Sequence, residues 1–391
     1  MLPSWGWPSS LYPRHYVLSY LLAFAGFAAL IILHELGHFV AAKAVGMRVE
    51  RFALFFPPLI YKWRRKGAET EYAVGAIPLG GYVKITGMSP EEVIPAEVAD
   101  RAYYRQKVWK RIVVIAAGPA VNIVLAFAIL WGLFAIRGIE LAQPTVATVT
   151  KGNPAQELLQ PGDRILAVDG KPGYAPGLTP EQGEQRVESL RAAITQHRCE
   201  SARPTSGCRA TTPVKMTLLR DGQRRTIEVL PRYDNSQGRL LIGFSFGNRK
   251  VDVGPLEAVT LSATGMWNVT TVTVQSIVRL FFDEEARKEV SGVVGSYEAT
   301  RQSFEFDTVR AVSVLALISL SLGIINLFPF LPLDGGHIFW ALAEKIRGRA
   351  ISFRVMERAS LVGFVLVFFL FYVGLSNDIG RLTSGEGFGV R

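Results

Sequence analysis

Five histidines occur in the 391 residues, and two of them stand four apart in His34-Glu35-Leu36-Gly37-His38. On a helix, positions i and i+4 share a face, so both imidazoles reach one divalent ion while Glu35 sits beside its open coordination position. Two neutral nitrogen ligands, a carboxylate that can take a proton from water and an ion with room for that water amount to hydrolytic zinc chemistry. Such an ion needs a third protein ligand. With two cysteines in the whole chain, that ligand is a histidine or a carboxylate, and the best placed is Asp334, in the run Asn326-Leu-Phe-Pro-Phe-Leu-Pro-Leu-Asp-Gly-Gly-His337. Two prolines there break a helix, and unwound backbone is tolerated at membrane depth where it is packed in protein or lines a wet cavity. His337 is a rival, but three residues on it points along the next helix and suits an outer role. The bland alternatives are polar capping for the histidine pair and, for Asp334, a cap on a helix beginning near Gly335.

The elements that must position these groups are membrane helices. Apolar residues make up 49% of the chain and charged ones 19%, which excludes disorder and a disulfide-built scaffold. Stretches 16–33, 112–136, 311–333 and 359–375 contain no Asp, Glu, Lys or Arg, and each is near the span length of a bilayer. The first runs directly into the charged motif without a small-residue cleavage site, so it reads as a retained span. Basic residues crowd between spans one and two, from Arg48 to Arg111, and between spans three and four, from Lys345 to Arg358. The positive-inside rule puts both segments in the cytoplasm, and both termini and the long middle segment outside. The net charge of +10 is thus read as sidedness, and no nucleic-acid partner is expected. Both half-sites fall at the cytoplasmic ends of their spans, where one ion can join them.

Residues 142–250 differ in texture, with turn dipeptides and short alternating runs such as Val214 to Leu219 and Thr226 to Leu230 around Asp221-Gly222. Asn153-Pro-Ala followed by Pro161-Gly-Asp-Arg-Ile-Leu-Ala-Val-Asp-Gly170 resembles the signature of PDZ domains. The resemblance implies a helix over Glu188 to Gln196. It also implies a peptide-binding strand over Leu241 to Phe246, with Ile242, Gly243 and Phe244 forming the loop that cradles a peptide carboxyl terminus. Cys199 and Cys208 lie in an apparent insertion of this segment, where either a loop-closing disulfide or two free thiols fit.

Further motifs carry a wider resemblance. His34-Glu-x-x-His38 with Leu333-Asp334-Gly335, Gly118-Pro-Ala-Val-Asn122, Ile77-Pro-Leu-Gly-Gly-Tyr-Val-Lys84 and Ser291-Gly-Val-Val-Gly295 together resemble the site-2 proteases, intramembrane zinc metalloproteases, in their bacterial branch with an extracytoplasmic PDZ domain. The fold so implied is a polytopic α-helical membrane protein of about four transmembrane helices, with a membrane-embedded β-hairpin and an inserted α+β PDZ-like domain. Residues 1–141 form the first half of the catalytic core and 142–250 the PDZ-like domain. Residues 251–307 form an interfacial helix (Leu256 to Phe282) and connector, and 308–391 the second half of the core.

The resemblance implies Zn²⁺ on His34, His38 and Asp334, with Glu35 as general base. Asn122 and Asn326 would donate to an oxyanion or hold substrate backbone, or else join helices. A hairpin over Gly75 to Lys84, bent at Gly80 and Gly81, would hold extended substrate by strand addition. Expected partners are the lipid bilayer, single-span membrane proteins such as anti-sigma factors or signal-peptide remnants, and peptide carboxyl termini at the PDZ-like domain, and the expected location is the bacterial inner membrane. A catalytically silent scaffold or chaperone is the alternative. A transporter suits broken helices but lacks a repeat.

Overall fold

The computed structural model of the chain describes residues 13–88, 92–200, 205, 207–234, 239–349 and 351–384. The chain divides into two compact units, Met1–Leu133 with Ala258–Arg391, and Phe134–Glu257.

Among the described residues four helices are long and apolar enough to cross a membrane, over Val17–Ala44, Val108–Arg137, Thr308–Asn326 and Arg354–Thr383. The first belongs to α1 (Pro13–Ala44). It does not end near the histidine pair, as the apolar run suggested. No proline follows Leu33 to break the helix, Ala41, Ala42 and Ala44 extend it, and the stop comes at Gly46, whose φ of +86° lets the amides of Gly46 and Met47 turn back onto the carbonyls of Lys43 and Ala42. The motif is therefore held rigidly inside a helix. After the sheet strands β1 (Val49–Trp63) and β2 (Glu71–Ile85) comes α2 (Val108–Arg137).

Helix α1 approaches α2 closely, because a methyl group on Gly37 would lie 2.6 Å from the Ala117 carbonyl oxygen. Small residues at such contacts let backbones come together in lipid, where no hydrophobic force presses helices to one another.

β1 and β2 each bend once. Residues Arg51 to Leu54 pair with Glu71 to Val74 on one side and with Lys84 to Gly81 on the other. The second limb of β1, from Leu59 to Trp63, returns along Gly75 to Tyr72. The segment Gly75 to Lys84 is thus not a hairpin whose arms pair with each other, because β1 runs between them. The bend in β1 falls at Phe55, with φ of 69°, just before Pro57 and Pro58, which have no N–H to give a ladder. Gly80 and Gly81 lead into the outer limb of β2, whose far edge carries no strand among the described residues.

The second unit holds β3 (Ile139–Val149), β4 (Arg164–Val168), β5 (Lys171–Pro172), α3 (Pro180–Thr195), β6 (Val214–Arg220), β7 (Gln223–Val229), β8 (Arg232–Asp234), β9 (Arg239–Leu241) and β10 (Phe244–Val251). Its main sheet has the order β10-β3-β4-β6-β7, and β8 pairs with β9 separately. Ile165, Val168, Leu190, Met216 and Leu218 form its core. α3 starts eight residues before the expected Glu188, at a capping box in which the Thr179 side chain accepts from the Gln182 amide and the Gln182 side chain accepts from the Thr179 amide. The expected strand over Leu241 to Phe246 is broken at Gly243, which has φ of +92°. Cys199 and Cys208 are joined in a disulfide.

Asp163 is 2% exposed and accepts from Arg220 Nε at 2.7 Å, Arg220 Nη2 at 2.6 Å and the Gln160 amide at 2.9 Å. Burial raises its carboxyl, but the guanidinium and the amide outweigh burial and hold it below its ordinary 3.8. A depressed carboxyl adds stability above its unfolded value and loses it as pH falls through the folded one. Asp163→Asn leaves Arg220 half-buried without its counter-charge. It is expected to weaken hydrogen-exchange protection of β4 and β6 at pH 7 by about 3–5 kcal/mol, with a smaller difference from wild type once pH drops below the unfolded carboxyl value. Equal protection in both proteins at pH 7 would rule this pair out as a stabiliser.

The first unit resumes with α4 (Pro255–Arg279), close to the helix expected over Leu256 to Phe282, then α5 (Glu284–Glu289) and α6 (Val293–Phe306). Next come α7 (Thr308–Asn326), α8 (Asp334–Arg347) and α9 (Phe353–Ser384). α7 begins at an Asp307 cap, whose side chain accepts from the Val309 amide, and packs on α2 through Ser319, whose hydroxyl donates to the Asn122 carbonyl at 2.9 Å. The third span ends at Asn326 rather than 333. Residues 327–333 are non-helical around Pro329 and Pro332, and the helix restarts at Asp334.

Candidate metal centre

α1 supplies the first two donors and α8 the third. Asp334 occupies the first helical position of α8, and Leu333 is the cap residue, so the carboxylate is not spent on capping. His34 Nε2, His38 Nε2 and Asp334 Oδ2 form a triangle with all three sides 3.3 Å. Tetrahedral zinc with bonds of about 2.0–2.1 Å needs its donors roughly 3.3–3.4 Å apart. His34 and His38 are 8% and 7% exposed. Asp334 Oδ2 is buried and accepts no hydrogen bond, so a carboxylate oxygen facing two ring nitrogens is left to bind a cation. The donor set and its spacing fit zinc. Among the described residues it is the one cluster of three or more metal-binding side chains whose donor atoms come this close together. His337 is not part of it.

Around the triangle, α2 holds the rings. His38 Nδ1 lies 2.9 Å from the Val114 carbonyl oxygen, which it can only donate to, leaving Nε2 free for an ion. His34 Nδ1 lies 3.1 Å from the amide nitrogen of Asn122. Asn122 is fully buried, and its Oδ1 has no hydrogen-bond partner. The amide thus stands at Nδ1 of His34, while Nε2 of the same ring faces the other two donors. Gly118 sits directly under the His38 ring, where a Cβ would collide with Nε2, Cε1 and Cδ2. Neither Val114 nor Gly118 was singled out in the sequence as touching a ligand. Gly118 carried a signal, four residues before Asn122 on the same helix face, whereas a carbonyl carries none.

Glu35, half-buried, lies against the sheet. A methyl on Gly81 would come 2.8 Å from Glu35 Cγ and 3.0 Å from the Ala53 carbonyl oxygen. The start of the outer limb of β2 therefore lies beside the carboxylate that follows His34. A methyl on Gly80 would come 2.8 Å from Cε2 of the Phe56 ring. Asn326 ends α7, half-buried, and its side chain makes no hydrogen bond with the described residues. Ile242, Gly243 and Phe244 belong to the second unit, where the carbonyls of Ile242 and Gly243 accept from the amides of Ala155 and Thr150.

The sequence model of peptidase family M50 matches residues 22–370. A protein of Rhizobium meliloti named as a candidate zinc metalloprotease is 30% identical over 375 residues, covering 90% of this chain and 94% of that protein. One of Brucella suis with a similar name is 30% identical, covering 89% and 92%. The regulator of sigma-E protease RseP of Salmonella typhimurium is 27% identical over 438 residues, covering 90% of this chain and 96% of that protein. The silent-scaffold reading is not favoured by this company. A donor triangle sized for zinc, in a chain with four membrane-length helices, agrees with the match: the chain belongs to peptidase family M50, the site-2 proteases, and is a multi-pass intramembrane zinc metalloprotease.

Proposed function

We propose that His34, His38 and Asp334 hold the zinc and that Glu35 is the general base for hydrolysis of peptide bonds within or near the spans of single-span membrane proteins. The observation that carries this reading is the donor triangle of 3.3 Å sides with Glu35 next to it. Held by His34, His38 and Asp334, a zinc ion would supply Lewis acidity to the scissile carbonyl and would bring the pKa of a bound water to about 7. Glu35 takes the proton from that water and delivers it to the leaving amine. Asn122 keeps His34 in the ligating tautomer. Turning its amide by half a revolution sets Oδ1 against the Nδ1 proton and satisfies both groups. Asn326, whose side chain has no hydrogen-bond partner among the described residues, is placed to hold substrate backbone or the developing oxyanion.

A helical substrate hides its peptide bonds and must unwind. The open edge of the outer limb of β2, entered through Gly80 and Gly81 beside Glu35, offers backbone groups to an extended chain. In the second unit, β10 is an edge strand of the main sheet, Arg191 of α3 lies 5.5 Å over the Phe246 ring, and Gly243 precedes the strand with a left-handed φ. This supports a PDZ-like module over 142–250 that takes a peptide carboxyl terminus at Ile242, Gly243 and Phe244. The basic segments between spans one and two and between spans three and four support an inner-membrane location, with the active site near the cytoplasmic face and the PDZ-like module outside. α4 serves as the interfacial helix. Since RseP is named for regulating sigma-E, anti-sigma factors are the first substrates to try, and signal-peptide remnants the second.

The test is metal removal. Purified protein in detergent is expected to carry one zinc per chain and to cleave a tagged single-span reporter. 1,10-Phenanthroline is expected to stop cleavage, and added zinc to restore it. Cleavage by metal-free protein would overturn the assignment.

A further inference from the structure

α8 carries Asp334 at its first position, yet it is not continuous with a membrane helix, since residues 327–333 separate it from α7. Its rotation and its position along its own axis are therefore set by side contacts. A shift of a few tenths of an ångström in the carboxylate already spoils a metal–oxygen bond. Gly335 and Gly336 seat its first turn against the backbone of Leu327 and Phe330. Ile338 packs on the cluster that contains Met47, Val114 and Ile115. At the other end, Glu344 accepts from Arg111 Nη2 at 2.8 Å.

Arg111 lies in the first turn of α2 and is 9% exposed. Its guanidinium carbon stands 6.0 Å from the centroid of the Tyr103 ring, which belongs to the same cluster as Ile338. Its Nε has no hydrogen-bond partner. Replacing a buried ion pair by apolar side chains is often neutral or stabilising. A pair with Arg111 buried and Glu344 half-buried, which leaves one N–H unmet, is thus a poor device for stability and a good one for geometry.

We propose that the Arg111–Glu344 pair is the positioning contact for Asp334. Helix α2 then orients all three donors, His38 through the Val114 carbonyl, His34 through Asn122, and Asp334 through Arg111 and Glu344. α8 acts as a stiff lever, its far end pinned about 15 Å from the carboxylate at 1.5 Å rise per residue. The inference rests on the reading of His34, His38 and Asp334 as the zinc ligands.

The experiment uses the full chain in detergent, as wild type, Arg111→Lys, Arg111→Met, Glu344→Gln and the swap of Arg111→Glu with Glu344→Arg. Zinc affinity is measured by chelator competition, site geometry by the visible absorption of the Co²⁺ form, and folding by thermal unfolding of metal-free protein. Arg111→Met and Glu344→Gln are expected to weaken zinc binding about 10- to 100-fold and to shift the Co²⁺ bands in protein that is still folded; metal-free unfolding stays near wild type in Arg111→Met and falls in Glu344→Gln, which leaves Arg111 without its counter-charge. Arg111→Lys, which keeps the charge without the planar fork, is expected to fall between, and the swap to recover part of the loss. Wild-type affinity and Co²⁺ bands in Arg111→Met and Glu344→Gln would overturn the proposal. So would zinc loss that merely follows loss of folded protein in every variant, which would make the pair a fold contact. A wild-type chain that binds no zinc would instead overturn the ligand assignment beneath it.

Discussion

Glu35→Gln lowers cleavage of a single-span reporter by about 100- to 10,000-fold, the range that a positioned general base contributes, while zinc content stays at one per chain. The two readouts separate because Glu35 is not one of the three donors, and glutamine keeps the size of the side chain. The variant still fits against Gly81, where space is short, so a lost fold does not explain the lost rate. Glutamine's amide cannot accept a proton from water at neutral pH, so the step that makes the nucleophile is removed and the ion is left in place. The measurement is initial cleavage rate in detergent or vesicles alongside zinc analysis of the same preparation. Equal rates for the two proteins would sink the role given to Glu35. A variant without zinc would mean that Glu35 holds the ion.

Gly118→Ala has an effect of similar size by a different route. The added methyl falls on the His38 ring, and two responses are open to the protein. The ring turns away, which breaks the Nδ1 hydrogen bond to Val114 and takes Nε2 out of the triangle, or α2 backs off from α1, where Gly37 already touches the Ala117 carbonyl. Overpacking of this kind costs about 1–3 kcal/mol, and a displaced ligand adds to it. Zinc affinity is expected to fall by about 100-fold or more, with cleavage near the detection limit. Gly132→Ala, on the same helix with nothing within 4 Å of its added carbon, is the control and is expected to match wild type. Chelator competition measures both variants. Wild-type affinity in Gly118→Ala would show that the ring does not sit where the structure has it.

Much of the centre was legible before folding was considered. His34, Glu35 and His38 announce themselves because helical periodicity alone puts i and i+4 on one face. Asp334 was readable because prolines and glycines around an acidic residue at the end of an apolar run mark a helix break. The spans were readable because a bilayer demands about twenty apolar residues in a row. The pairing of the sheet is not legible in this way. Alternation shows that Gly75 to Lys84 is extended but not that β1 threads between its two limbs, since pairing partners are chosen by bends and by which edges remain open. Asn122 is marked by the Gly118-Pro-Ala-Val-Asn122 run, but its partner is not, because an amide serves an oxyanion and an imidazole equally well.

The sequence by itself determined the chemistry available, namely two imidazoles and two carboxylates on apolar helices. Only the tertiary structure decided that residues 34, 38 and 334 have donor atoms in one triangle, that Gly118 makes room for a ring, and that Arg111 reaches Glu344 across 233 residues of chain. The reason is physical. Local periodicity fixes which side of its own helix a residue faces, but the distance between helices is set by packing, and metal coordination depends on that distance to a few tenths of an ångström.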